Sequence, residues 1–320
     1  MPQKNSSGDY LVLVAMAAVL IVPFALTLNT VSQPRALANF QTNPTPHGYT
    51  WSLSLFVAPV AVLAFWLGRR RENKIQNKAF WLTTAFVSLG GFALDSLFGR
   101  TFFTFENHAA TLGIHFYGWS FTDGWKKVLP VEEIFFYLFG ALATLLVYIW
   151  GDEFWFAAYN VDDTPRQQLR LRRIFSCHIE SAVFGVVIFF AGWLWKKISP
   201  LADHEGFPGY FLFLTLVALT PSIVFFPVAR PFINWRAFSL CFVFMLLVSL
   251  FWEVTLAVPY QWWGFQKPQM LGLFINGFCG LPIEEPALWL GITWATIIIY
   301  ETVLTLLCLD WSKKNSAPQK

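Results

Sequence analysis

Eight stretches of this 320-residue chain are apolar over about 18 residues or more: 10–28, 51–68, 79–98, 130–150, 178–195, 208–227, 237–258 and 282–308. A run of that length, coiled as an α-helix, matches the ~30 Å hydrocarbon core of a bilayer. In lipid a helix satisfies its backbone hydrogen bonds internally, which an isolated strand cannot do. The runs are also too long and continuous for barrel strands. The chain reads as an all-α integral membrane protein with about eight transmembrane helices.

Charge and composition agree. Charged residues make up 13% of the chain and hydrophobic ones 56%, against roughly 25% charged in a soluble domain. A water-soluble fold has no means of hiding that much apolar surface. A net charge of +3, with the basic residues clustered between apolar runs, excludes a nucleic-acid partner and marks topology instead. With the N-terminus inside, 15 of the 22 Lys and Arg fall on inner segments and 7 on outer ones. That bias predicts a multi-pass protein of the cytoplasmic membrane with both termini cytoplasmic. The first run, with Lys4 ahead and Ala36-Leu37-Ala38 behind, shares features with a signal peptide. Its length and the distance of the small-residue triplet favour a retained helix. Cys177, Cys241, Cys279 and Cys308 are far apart and lack metal-ligand spacing, so they read as packing residues.

The chain repeats. The fourth and eighth runs open with "LPVEE" and "LPIEE", with Glu132 and Glu284 152 positions apart. An aromatic-rich loop precedes each motif: "FENHAATLGIHFYGWSFTDGWKK" and "VPYQWWGFQKPQMLGLFINGFCG". An acid, Asp95 and then Glu253, sits near the end of the helix before each loop. An offset of four helices is even, so both motifs land on one membrane face. The expected organisation is two parallel four-helix repeats, 1–150 and 178–320, joined by a charged cytoplasmic linker at 151–177.

Glu132/Glu133 and Glu284/Glu285 fall in the first turn of their helices. A carboxylate there gains roughly 0.3–1 kcal/mol from the helix dipole, which alone accounts for one such pair. Two pairs in matching places, with Asp95 and Glu253 aimed at the same face, point to function. An acid inside the membrane costs on the order of 3 kcal/mol at a helix centre and usually marks a site. Adjacent helical residues point about 100° apart, so one glutamate of each pair can face the bundle while the other braces. Carboxyls crowded together away from water can divide into a proton donor and a proton acceptor. Which member takes which role is open at this stage. Tyr117, Trp119, Trp125, Tyr260, Trp262 and Trp263 lie in the two loops and are candidate substrate-binding rings, since ring faces attract cations. Interfacial aromatic belts give the same pattern.

Duplicated Leu-Pro-x-Glu-Glu motifs, each behind a Trp/Tyr-Gly loop, resemble the small membrane-embedded lycopene cyclases, the heterodimeric or fused carotenoid cyclase family. "WWGFQKPQMLGLFINGFCGLPIEE" is the more similar half. The resemblance covers about 80–150 and 235–305. It implies an intramolecular lyase/isomerase of carotenoid biosynthesis that cyclises the linear ends of an acyclic polyene without net redox change. By motif, Glu132, Glu133, Glu284 and Glu285 are the candidate catalytic acids and bases; Asp95 and Glu253 join them from the repeat pattern. The substrate is expected within the bilayer, with no cofactor and no metal, and association with other carotenoid-pathway enzymes stays open. The sequence departs from the family in an extra N-terminal helix, a long 29–50 loop and Pro286 directly after Glu285.

Other readings remain. A carotenoid- or lipid-binding or transport protein would also use repeats with acids near helix ends. A prenyltransferase-like membrane enzyme needs two Asp-rich motifs for Mg²⁺ and diphosphate, and the chain offers only Asp162-Asp163. A Glu-Glu-x-x-x-Arg metalloprotease would need Arg where Tyr137 and Trp289 stand, and the five histidines have no ligand spacing. His178 and Glu180 read as an interfacial pair, and Glu301 is expected to reach toward the inner interface.

Overall fold

A computed structural model describes residues 46–70, 74–105, 107–121, 123–161, 177–200, 202 and 204–316, with Val14, Ala17, Ala18 and Val22 of the first apolar run. The expected helix over 10–28, most of the 29–50 loop and most of the 151–177 linker lie outside the described residues.

The chain is mostly helical, and among the described residues seven helices are long and apolar enough to cross a membrane. They are α1 (Gly48–Arg70), α2 (Lys74–Phe102), α3 (Glu132–Trp150), α4 (Ile179–Ile198), α5 (Gly209–Ala229), α6 (Trp235–Trp252) and α7 (Glu284–Ser316). Each coincides with an apolar run of the sequence; α1, α2, α4, α5 and α7 extend a few residues beyond it, while α3 starts two residues inside its run and α6 gives way at Glu253–Ala257 to a wider turn. At α2 the extension takes in the polar start at Lys74–Lys78, because a helix keeps its backbone bonds past the edge of the apolar stretch.

α3 and α7 form the centre: 67% of each apolar span is buried, against 11% for α4, which packs chiefly on α5. α1 lies on α3, α2 on both α3 and α7, and α6 on both as well; α5 and α7 make the most extensive helix pair. The largest core cluster runs through this centre and gathers Tyr49, Phe56, Trp252, Tyr260 and Trp262 at one end.

The all-α expectation needs one amendment. Three short antiparallel pairs sit beside the motifs: β1 (Phe103–Thr104) with β4 (Gly264–Phe265), β2 (His115–Ser120) with β3 (Gly124–Pro130), and β5 (Phe274–Ile275) with β6 (Leu281–Pro282). Loops folded back into a bundle end must find partners for their N–H and C=O groups, and short ladders supply them. The β1–β4 pair joins the segment after α2 to the segment after α6.

Three further differences have local causes. The helix expected to end at 150 continues as a wider turn through Gly151–Trp155. Gly151 lets this turn approach α6 closely, since a Cβ there would lie 3.1 Å from that of Ala237. Beyond it, Asp152 is held by Asn234 Nδ2 at 3.0 Å and Asn160 Nδ2 at 2.8 Å. α5 passes through both Pro221 and Pro227, which membrane helices tolerate when neighbours cover the freed carbonyls. Pro286 lies in the first turn of α7, where a missing N–H costs no helical bond. Glu301 does not reach an interface. It is fully buried, and Tyr148 donates its hydroxyl to Oε1 at 2.6 Å. His178 and Glu180 do pair, at 3.2 Å, where His178 caps α4.

A carboxyl-lined cavity at the motif end

The two glutamates of each motif face different ways. Glu132 accepts the backbone N–H of Leu112 at 2.8 Å and the hydroxyl of Thr50. Glu284 accepts the backbone N–H of Leu271 at 2.5 Å. Both acceptor contacts rest on a Leu-Gly step. Gly113 and Gly272 have φ of 74° and 84°, a region favouring glycine, and the turn aims the leucine N–H at the carboxylate. Beyond the glycine, Val131 N–H donates to the Ile114 carbonyl and Ile283 N–H to that of Leu273. In the second half Lys196, fully buried, donates to the carbonyls of Pro268 and Met270 and so pins the same loop. Glu132 and Glu284 are thus bound into the loops that close the bundle.

Glu133 and Glu285 turn inward. Tyr49 donates its hydroxyl to Glu133 Oε1 at 2.7 Å, and Tyr210 donates to Glu285 Oε1 at 3.0 Å. Each tyrosine is the second residue of its helix, α1 or α5, and follows a glycine. At Gly209 a Cβ would meet Gln269 Oε1 at 2.5 Å, so the glycine lets the helix start approach the loop.

The preceding helices supply two more carboxyls. Asp95 on α2 lies beside Glu133, and Glu253, directly after α6, lies beside Glu285. Glu253 Oε1 accepts from Ser249 Oγ at 2.7 Å and from Trp289 Nε1 at 3.1 Å. The Asp95 carboxyl folds over Gly99, where a Cβ would stand 2.0 Å from Oδ1. Glu253 and Glu285 are also within hydrogen-bonding reach of each other, whereas Oδ2 of Asp95 has no hydrogen-bond partner among the described residues. Tyr137, four residues after Glu133, lies near Asp95, Glu133 and Glu285, its ring packed over Gly91.

Asp95, Glu133, Glu253 and Glu285 line one cavity of about 700 Å³ together with Tyr49, Tyr137, Tyr210, Trp263 and Trp289. Its volume falls within the ~300–1,000 Å³ of small-molecule sites. Glu285 and Ile299 both line it, so it runs about 20 Å along α7 at roughly 1.5 Å per residue. Beyond the carboxyls the walls are apolar, with Leu94, Leu216, Val217, Ile292 and Ile299 among them. Among the described residues none of the lining side chains is Lys, Arg or His. No group of three His, Cys, Asp or Glu among the described residues is arranged to hold a metal ion.

Of the aromatic candidates only Trp263 lines the cavity. Trp262 stacks between Tyr49, at 5.9 Å, and Tyr260, at 6.1 Å, buried behind the wall. Tyr117, Trp119 and Trp125 ride on the β2–β3 hairpin and do not line it. Tyr117 and Trp125 are exposed, and Trp119 packs on Phe121. Sequence reading passed over Tyr49, Tyr210, Tyr137, Trp289 and Lys196. A signal was present for four of them: Gly-Tyr opens both α1 and α5, and an aromatic residue follows the second glutamate by four positions in both motifs.

Chemically, this is an apolar chamber with carboxyls and phenols at one end and ring faces around them. It can hand a proton to, and take one from, a ligand that is itself apolar. Comparison of the chain with known protein families, curated proteins and solved structures finds no match to any of them.

Proposed function

We propose that the protein is a membrane enzyme that cyclises the linear ends of an acyclic carotenoid, such as lycopene, without redox change. Its architecture in this reading is two parallel four-helix repeats, eight spans with 10–28 as the first, and both termini cytoplasmic. The paired contacts Tyr49–Glu133 and Tyr210–Glu285, and Leu112–Glu132 and Leu271–Glu284, favour that duplication.

The observation that carries the reading is the convergence of two carboxyl pairs on one apolar cavity about 20 Å deep, with no basic side chain among the described residues of its lining. A hydrophilic substrate would leave most of those walls unmatched. A hydrocarbon chain matches them, and the carboxyls then meet its terminal double bond.

In the proposed reaction, a protonated carboxyl of Glu133 or Glu285 gives its proton to the terminal trisubstituted alkene. A tertiary carbocation forms, and the neighbouring double bond attacks it to make the ring carbon–carbon bond. The ionised partner carboxylate, Asp95 or Glu253, removes a proton to restore a double bond, leaving hydrogen count and redox state unchanged. The faces of Trp263, Trp289 and Tyr137 stabilise the cation, each by up to about 2 kcal/mol when desolvated. Glu132 and Glu284 act here as positioning residues that hold the loops.

Expression in a lycopene-accumulating host, with pigment analysis, tests the reading. Cyclic products are expected from the wild type, and their loss from Glu133→Gln and Glu285→Gln proteins that still insert. Unchanged lycopene beside well-inserted wild type points to a carotenoid- or lipid-binding or transport role.

A further inference from the structure

The four carboxyls are buried at one end of the cavity, and its lining continues along α2 and α5 to exposed side chains between the two helices. There Phe86 and Leu216 line the cavity and are 65% and 56% exposed, within spans apolar enough to lie in a bilayer. Gly90 lines the same stretch, and a Cβ placed on it meets nothing within 4 Å. Toward the motif end the gap narrows, with Phe213 against Phe98 at 5.6 Å and Phe102 at 5.3 Å.

The corresponding gap between α1 and α6 is shut. Trp252, the residue before Glu253, fills it: its indole N–H donates to Ser52 Oγ, and its ring packs on Tyr49 at 5.9 Å, Phe56 at 6.1 Å and Phe136 at 5.9 Å. Before Asp95 the equivalent position holds Leu94, a cavity-lining residue without such a plug.

We propose that the gap between α2 and α5 is a lateral portal through which a long apolar chain enters from the bilayer, one end going to the carboxyls while the remainder stays in lipid. This rests on the reading of the cavity as a polyene site. It adds the route: a gap of this kind admits one end of a linear substrate per visit.

The test plugs the gap with the ring that closes its counterpart. Leu94→Trp and Gly90→Trp are compared with Leu89→Trp, a lipid-facing α2 position outside the cavity lining and 70% exposed. The proteins are purified from lycopene-containing membranes. Lycopene conversion is measured, and, separately, pigment retained on the purified protein. The two plugged variants are expected to lose at least tenfold in both, while Leu89→Trp matches wild type. Plugged variants that convert or retain pigment like wild type overturn the portal. If wild type converts nothing, the proposed reaction fails, and the portal stands or falls on retention alone. Pigment on wild type but not on plugged protein supports it; equal retention, or none on wild type, overturns it.

Discussion

Tyr210 donates its hydroxyl to Oε1 of Glu285 at 3.0 Å, and both side chains are buried at the head of the cavity. Tyr49 and Glu133 repeat the contact at 2.7 Å. As Glu285 or Glu133 gives up its proton it becomes a carboxylate, to which a hydrogen bond contributes about 1.5–3 kcal/mol, and each ~1.4 kcal/mol of barrier is tenfold in rate. Tyr210→Phe and Tyr49→Phe are therefore expected to slow product formation by about 10- to 100-fold, with insertion unchanged. Initial rates at matched protein levels check this. Rates within twofold of wild type for both would remove the tyrosines from the site.

The two glutamates of one motif are expected to differ in the laboratory as they do in space. Glu133→Gln and Glu285→Gln take away an ionisable group facing the cavity and abolish turnover. Glu132→Gln and Glu284→Gln keep an oxygen that still accepts the Leu112 or Leu271 N–H and retain measurable activity. Alanine at either outer position leaves that N–H without its acceptor, a loss of about 1–3 kcal/mol. Amide hydrogen exchange at 107–114 or 266–273 then rises. Equal loss of activity from all four glutamine variants would contradict the division of roles.

At the opposite end of the bundle, Tyr148, Glu301, Asn234 and Asp152 tie α3, α6 and α7 together through buried hydrogen bonds. They lie outside the cavity lining, so their effect is on stability. Tyr148→Phe breaks the 2.6 Å bond to Glu301 and is expected to cost about 1–3 kcal/mol. The readout is a lower melting temperature in detergent, with per-molecule turnover preserved at temperatures where the protein is folded.

Much of this was legible in the amino-acid sequence. Apolar runs mark helices because bilayer thickness sets their length, and all seven described helices fall on expected segments. The four cavity carboxyls, Asp95, Glu133, Glu253 and Glu285, were singled out because an acid in an apolar run is costly enough to need a reason. The division within each Glu-Glu pair was foreseen in kind, but its direction was not. It depends on where the Leu-Gly turns deliver Leu112 and Leu271, a long-range relationship that spacing does not carry. Tyr117, Trp119 and Trp125 stand with Tyr260, Trp262 and Trp263 as candidates because both sets precede a motif, although the density of rings in "YQWWGF" favours the second set. The chain from Leu112 to Glu132 spans 20 positions, however, against 13 from Leu271 to Glu284. The extra length forms a hairpin that carries the first set outward. Glu301 was assigned to an interface from its position late in a helix, whereas α7 is central and Tyr148 supplies a donor within the bundle.

The most direct test of the central claim is cyclisation of lycopene by the purified protein in D₂O, followed by mass spectrometry of the product. The account predicts one deuterium per ring formed, at the carbon that received the proton, and none in substrate recovered from the Glu133→Gln, Glu285→Gln double variant. A cyclic product carrying no deuterium, or one whose hydrogen count differs from that of lycopene, would contradict it.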